Sequence, residues 1–219
     1  MNYTFHWRPV FRSIPELLQG ALTTLEISVI SMIAGIVIGL VLALMKMNGG
    51  LVFRAIATFW IEVARNTPAL FQLFFFGFGL GAFGLNLPPF LIVFMGLTFN
   101  NAGYLAENFR GGFRAIPATQ LRAARSLGMT ATQAYLKVII PQVLRIVYHP
   151  MTNQLVWAVL MSSLGMLVGF RELSGDTQFL ASKTFRVFEY FAITAIIYYV
   201  MIKLLLGLSR LIAWRFLRI

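Results

Sequence analysis

The chain contains no cysteine, so disulfides and thiolate metal sites are excluded and redox chemistry says nothing of its compartment. It has two histidines, His6 and His149, without ligand-spaced neighbours, and no metal site is expected. Charge is scarce: 11% of its 219 residues are charged, against about 25% in soluble domains. Acidic residues are scarcest, 7 against 18 Lys and Arg. No basic run is interleaved with aromatics in a soluble segment, so the net charge of +11 does not point to nucleic acid. The first twenty residues, MNYTFHWRPVFRSIPELLQG, lack the basic-then-apolar order of a signal peptide.

What is abundant is apolar, 59% of residues. Between Ala21 and Met45 only Glu26 is ionisable, and about 20 apolar residues suffice to cross a bilayer. The expected fold is an all-α integral membrane protein, a single compact unit with five transmembrane helices. The expected spans are residues 18–45, 53–83, 89–109, 138–168 and 188–208, with residues 1–17 as an external segment before a transmembrane domain of residues 18–219. Gly35 and Gly39 form a small-xxx-small spacing that admits a close neighbouring helix. Asn48-Gly49-Gly50 marks a turn. Pro68 interrupts the second span, with Thr67 placed to cap the helix that restarts. Lys and Arg collect on cytoplasmic loops. Of the 18, Arg8, Arg12, Arg171, Lys183 and Arg186 fall on one side, and the remaining 13, Arg65 and Arg218 among them, on the other. The second side is therefore read as cytoplasmic, with the N-terminus external and the C-terminus cytoplasmic.

A polar stretch of about 28 residues, 110–137, separates the third and fourth spans, where connections are usually about 4–6 residues. It reads as two short helices around a turn. Pro117 blocks the preceding helix and Thr119 is placed as an N-cap. Ala123 and Ala124 let a partner surface approach the backbone. Gly128 sits where a C-terminal cap needs positive φ. Thr130 and Gln133 have capping-box spacing, and Pro141 marks the turn into the fourth span. A rigid helix at the membrane surface can take force from a partner and pass it to the spans.

This stretch resembles the cytoplasmic signature loop of the permease subunits of binding-protein-dependent ABC importers: Glu-Ala-Ala, three residues, Gly, nine residues, Ile, one residue, Leu-Pro. Ala123, Ala124, Gly128, Val138, Ile140 and Pro141 follow it in order and spacing. The blocks AENFRGGFRAIPATQ, EVARNTPALFQLFFF and ASKTFRVFEYFAI resemble the polar amino acid branch, so the likeness runs from Gly20 to the C-terminus. It implies a type I importer in the bacterial inner membrane: two permease subunits, a cytoplasmic ATPase dimer that binds ATP and Mg, and an external solute-binding protein. Gln120, Arg122, Ala123, Ala124, Gly128 and Pro141 would serve coupling to that ATPase. The chain itself has no Gly-rich loop ending in Gly-Lys-Ser/Thr and is read as a transporter subunit without cofactors, not an enzyme. The family's Glu falls at Arg122, which counts as the third residue of a helix capped by Thr119. A cation there costs roughly 0.3–1 kcal/mol, which favours pairing with a non-identical permease that keeps the acid; an acidic rim on the ATPase is the alternative.

Polar groups inside spans are costly and tend to be functional. Asn100 and Tyr104 share a face of the third span, with Asn101 and Glu107 beside them, and Ser162 and Ser163 lie in the fourth. Together they could hydrogen-bond a zwitterionic amino acid, or they could instead join neighbouring helices. Asn153 and Gln154 are read as structural, and Glu62 and Arg65 as a pair with each other. Relatives often carry an acid where Met161 stands, so a basic substrate bound by this subunit is disfavoured. The rival readings are a permease for another small solute, such as an opine or sulfur amino acid, and a channel-like or scaffolding membrane subunit.

Overall fold

The computed structural model describes residues 3–217; Arg218, counted above among the basic residues, lies outside them. Among the described residues the secondary structure is entirely helical. Four helical runs are long and apolar enough to cross a membrane: Ile14–Asn48, Pro89–Arg114, Ala131–Val168 and Val187–Leu217. They contain α2 (Ile14–Asn48), α5 (Pro89–Arg114), α8 (Ile140–Met161) and α10 (Val187–Ile212). At 1.5 Å per residue, the 35-residue α2 is about 52 Å long and exceeds the hydrocarbon thickness. Before it, α1 (Arg8–Arg12) does not hang free. Val10 and Leu17 pack with Tyr190 of α10, and Ser13 Oγ lies 3.0 Å from Tyr190 Oη.

The second apolar segment is not one helix. It is α3 (Leu51–Asn66), a break, then α4 (Ala69–Phe74), which continues through a π turn at Phe75–Gly79 and a 3₁₀ turn at Gly81–Phe83. Pro68 offers no N–H, and both Thr67 (ψ 146°) and Pro68 (ψ 138°) are extended. Thr67 does not cap α4, because Pro68 takes that position and no side chain bonds there. Its hydroxyl instead donates to Val63 O at 2.7 Å and accepts from Gln72 Nε2 at 2.9 Å.

Small residues set the packing. A Cβ on Gly35 would meet Asn101 Cβ at 2.6 Å, and one on Gly39 would meet Leu105 Cβ at 2.9 Å. The partner that the small-xxx-small spacing admits is therefore α5. On other faces of α5, Gly103 meets Ala64 of α3 and Gly112 meets Val147 of α8, at 2.4 and 2.5 Å on the same measure. Thus α5 runs through the middle of the bundle. Around it a cluster including Leu42, Ile61, Leu105, Phe109, Val143 and Val147 forms the core at the loop end.

Two elements depart from the expectation. Pro141 does not turn the chain into the fourth span. The helix α7 (Ala131–Ala134) runs on through a π turn at Tyr135–Ile139 into α8, with Pro141 near its start. A proline lacks an N–H and clashes with the carbonyl four residues back, and one wide turn relieves both demands without ending the helix. The connection outside these long helices is correspondingly shorter than residues 110–137, spanning 115–130. A helix not foreseen, α9 (Leu173–Thr184), packs between α2 and α10 at the opposite end.

Glu172 caps α9 and is fully buried, at 0% exposure. Its carboxylate accepts from Thr24 Oγ1, Tyr198 Oη and Gly175 N, each at 2.9 Å. Burial raises its pKa, only partly offset by these bonds and that from Ser174 N–H.

Candidate functional site

The break in the second span and the capped loop each set polar groups against membrane-length helices. At the break, Gln72 of α4 satisfies what Pro68 leaves open, its Nε2 donating to Ala64 O at 2.9 Å and Thr67 O at 3.1 Å. Its Oε1 accepts from Asn100 Nδ2 at 3.0 Å, and Asn100 also donates to Ala64 O at 3.1 Å. Asn100 thus ties the middle of α5 to the broken backbone. Asn101 turns elsewhere: fully buried at 0% exposure, it accepts from Gln154 Nε2 of α8 at 2.9 Å. Among the described residues, Asn100 Oδ1 and Asn101 Nδ2 are buried without a partner.

Tyr104 stands on the open side. Its ring lies 6.4 Å from that of Trp157, and the Arg65 guanidinium sits over it at 5.5 Å. Glu62 and Arg65 do not pair. Glu62 accepts from Asn66 Nδ2 at 2.7 Å, and Arg65 has no ion-pair partner among the described residues. Both are exposed. Arg65, expected with the loop-side basic residues, lies beside Tyr104 at the middle of α5, eleven residues up α3 from Arg54. Removing it leaves the asymmetry of basic residues intact. The signal in the sequence was charge next to a proline deep in an apolar segment.

Ser162 and Ser163 stand apart from this cluster. The fourth span leaves α geometry after Met161 and becomes 3₁₀ over Ser162–Val168. There Ser162 Oγ donates to Val159 O at 2.9 Å and Ser163 Oγ to Leu160 O at 2.6 Å. Met161 packs half-buried beside a cluster containing Leu73, Val93 and Leu97. Glu107 lies nearer the loop, where it accepts from Lys46 Nζ at 2.9 Å and Arg110 Nε at 2.9 Å.

The loop is built as its punctuation demands. The helix α6 (Ala118–Ser126) ends in a Schellman motif: Met129 N donates to Ala124 O at 3.3 Å and Gly128 N to Arg125 O at 3.1 Å. Gly128 carries φ 83°, as that motif requires. The capping box holds α7, with Thr130 N to Gln133 Oε1 at 2.9 Å and Gln133 N to Thr130 Oγ1 at 3.2 Å. Thr119 is not the N-cap. Pro117 is, so Arg122 falls two residues further into α6, past the first turn, where the helix dipole penalises it less. Gln120 faces inward, its Oε1 accepting from Gln142 Nε2 at 2.6 Å, and Ala124 and Ala134 are buried. Facing outward are Arg122, Ala123 and Leu127, the last 82% exposed. That leucine, absent from the sequence reading, is the apolar tip of the loop.

Gly128→Val is expected to strain the Schellman turn by about 1–2 kcal/mol, while leaving the spans in place because nothing lies within 4 Å of the new Cβ. Proteolysis of the loop should quicken in this variant while its helical content holds; unchanged cleavage would show that the turn does not carry that strain.

An all-helical bundle with a span broken at mid-depth and a rigid polar loop at one end has the build of a membrane permease. The family described as "Binding-protein-dependent transport system inner membrane component" matches residues 35–218. The chain belongs to this family, the permease subunits of ABC importers. It is 33% identical to the glutamine transport system permease protein GlnP of Escherichia coli (strain K12) over 205 residues, 93% of each chain. It is 30% identical to a probable amino-acid ABC transporter permease protein, PatM, of Vibrio harveyi over 208 residues, 94% of this chain and 92% of that one. A crystal structure of an amino acid ABC transporter with histidines matches at TM-score 0.90 and 34% identity, covering 97% of this chain and 100% of its own. An inward-facing MetNI methionine ABC transporter, at TM-score 0.68 and 22% identity, covering 90% of this chain and 95% of its own, shares the fold.

Proposed function

We propose that this subunit conducts a polar amino acid past the break in its second span, delivered from outside by a binding protein. The observation that carries the reading is a pair of exposed opposite charges one turn apart on α3, Glu62 and Arg65, with Arg65 over the Tyr104 ring. Charge within a span is expensive and marks solute routes, and irregular backbone is tolerated there when it lines a cavity. A zwitterion offers an ammonium to Glu62 and a carboxylate to Arg65. Asn100 steadies the break through Gln72, Asn101 pins α5 to α8 through Gln154, and Met161, Ser162 and Ser163 border the route further along. The names of the relatives, which include glutamine and amino-acid permeases, favour this solute class over an opine or a sulfur amino acid.

The loop end faces the cytoplasm, and the N-terminus faces out. There Arg122, Ala123 and Leu127 of α6 dock on an ATPase dimer that binds ATP and Mg, with Gly128 and the π turn before Pro141 passing its movement into α8. Arg122, where the family has an acid, suits pairing with a second, non-identical permease. In proteoliposomes holding the complete transporter, uptake of a neutral amino acid should require both ATP inside the cytoplasmic face and the binding protein outside. A tag inserted at Phe185, exposed between α9 and α10, should be reached from outside and one after Leu217 only from inside. Uptake without ATP, or both tags on one side, would refute this reading.

A further inference from the structure

We infer that the protein holds an anionic phospholipid at the loop end of the bundle, its phosphate seated in a cationic cavity between α2, α3 and α5. The cavity, about 410 Å³, is lined by Lys46, Asn48, Arg54, Thr58, Arg110 and Arg114. Among the described residues no carboxylate lines it, and the adjoining Glu107 already bonds Lys46 and Arg110. Four cations against one anion leave three positive charges in surplus. Among the described residues, Arg54 and Arg114 have no ion-pair partner. Like charges held this close repel, and a bound anion relieves them. Arginine forks suit phosphate oxygens, and Asn48 and Thr58 add neutral donors.

Position and neighbours select a lipid as the source of that phosphate. Lys46 and Arg114 occupy the last turns of membrane-length helices, which is headgroup depth. Basic pockets between helices at that depth bind anionic headgroups. Beside the cavity, α3 turns an apolar face outward, with Leu51, Val52, Phe53, Ile56 and Phe59 all exposed. Acyl chains cover such a face; a soluble phosphate leaves it in water.

The test uses the full-length chain in detergent, offered phosphatidylglycerol and phosphatidylcholine in equal amounts, with retained lipid weighed by native mass spectrometry. Phosphatidylglycerol should be kept in preference. Arg54→Gln with Arg114→Gln should lower its retention about 25-fold, roughly fivefold for each cation lost. Arg145→Gln, an exposed cation on α8 outside the cavity, should change nothing. Excess inorganic phosphate should fail to displace the lipid. Equal retention of both lipids, parental binding by the double variant, or displacement by inorganic phosphate would each overturn the assignment. Size-exclusion profiles monitor folding, and if the double variant does not survive, Arg114→Gln alone is read against the fivefold expectation.

Discussion

Arg65→Gln is expected to raise the amino acid concentration that half-stimulates the assembled transporter's ATPase by roughly 10- to 150-fold. A hydrogen bond to a charged group contributes about 1.5–3 kcal/mol, and glutamine removes the charge and the guanidinium fork while keeping a polar side chain. Basal hydrolysis should persist, because α6 and its Schellman turn are untouched. Arg65→Lys should recover part of the loss, since it restores charge without the planar fork or the full stacking on Tyr104. Glu62→Gln should weaken recognition of the ammonium while sparing solutes without one. A guanidinium near mid-span costs about 2.5–3.5 kcal/mol, and the cation over the Tyr104 ring returns only about 0.5–2 of that. Parental dose dependence in both Arg65→Gln and Glu62→Gln would move the solute route away from this break.

Glu172→Ala should destabilise the purified permease by about 3–7 kcal/mol, seen as a lower Tm and a lower yield of folded protein. Three donors lose their acceptor at once: Thr24, Tyr198 and the Gly175 N–H. The two orphaned hydroxyls cost about 1–3 kcal/mol each, and the lost N-cap bond to Gly175 about 1. These bonds join α2, α9 and α10, so their loss loosens the end opposite the loop. Glu172→Gln should retain much of the network, since the hydroxyls of Thr24 and Tyr198 can rotate. The pH dependence has a definite sign. Because burial raises the folded pKa of Glu172, protonation favours the folded state. That contribution is complete below the unfolded value of about 4.3 and is lost as pH rises through the raised pKa. The glutamine variant should lack this decline. A Tm for Glu172→Ala equal to that of the parent would refute the role.

Much of the loop was legible in the sequence because its determinants are local. A Schellman turn needs a glycine at one position, and a capping box needs Thr and Gln three residues apart. Both signals lie within a single turn of chain, and Gly128, Thr130 and Gln133 take the expected roles. Thr119 failed as a cap because a proline two residues earlier, with its fixed φ, starts the helix first. The Gly35 and Gly39 spacing announced a close helix but not which one.

By itself the sequence determined that the chain spans a membrane, where its apolar runs lie, which family pattern it carries and how its loop is capped. Each of these rests on composition or on spacings within a few residues. Only the tertiary structure decided that Arg65 stands beside Tyr104, that Asn100 repairs the break through Gln72, and that Glu172 is buried against Thr24, 148 residues away in the chain. Hydropathy ranks a charged residue as exposed wherever it falls. Its depth and its partners follow from how α5 is enclosed by α2, α3 and α8, and that enclosure depends on glycine contacts between distant segments, which no local pattern encodes.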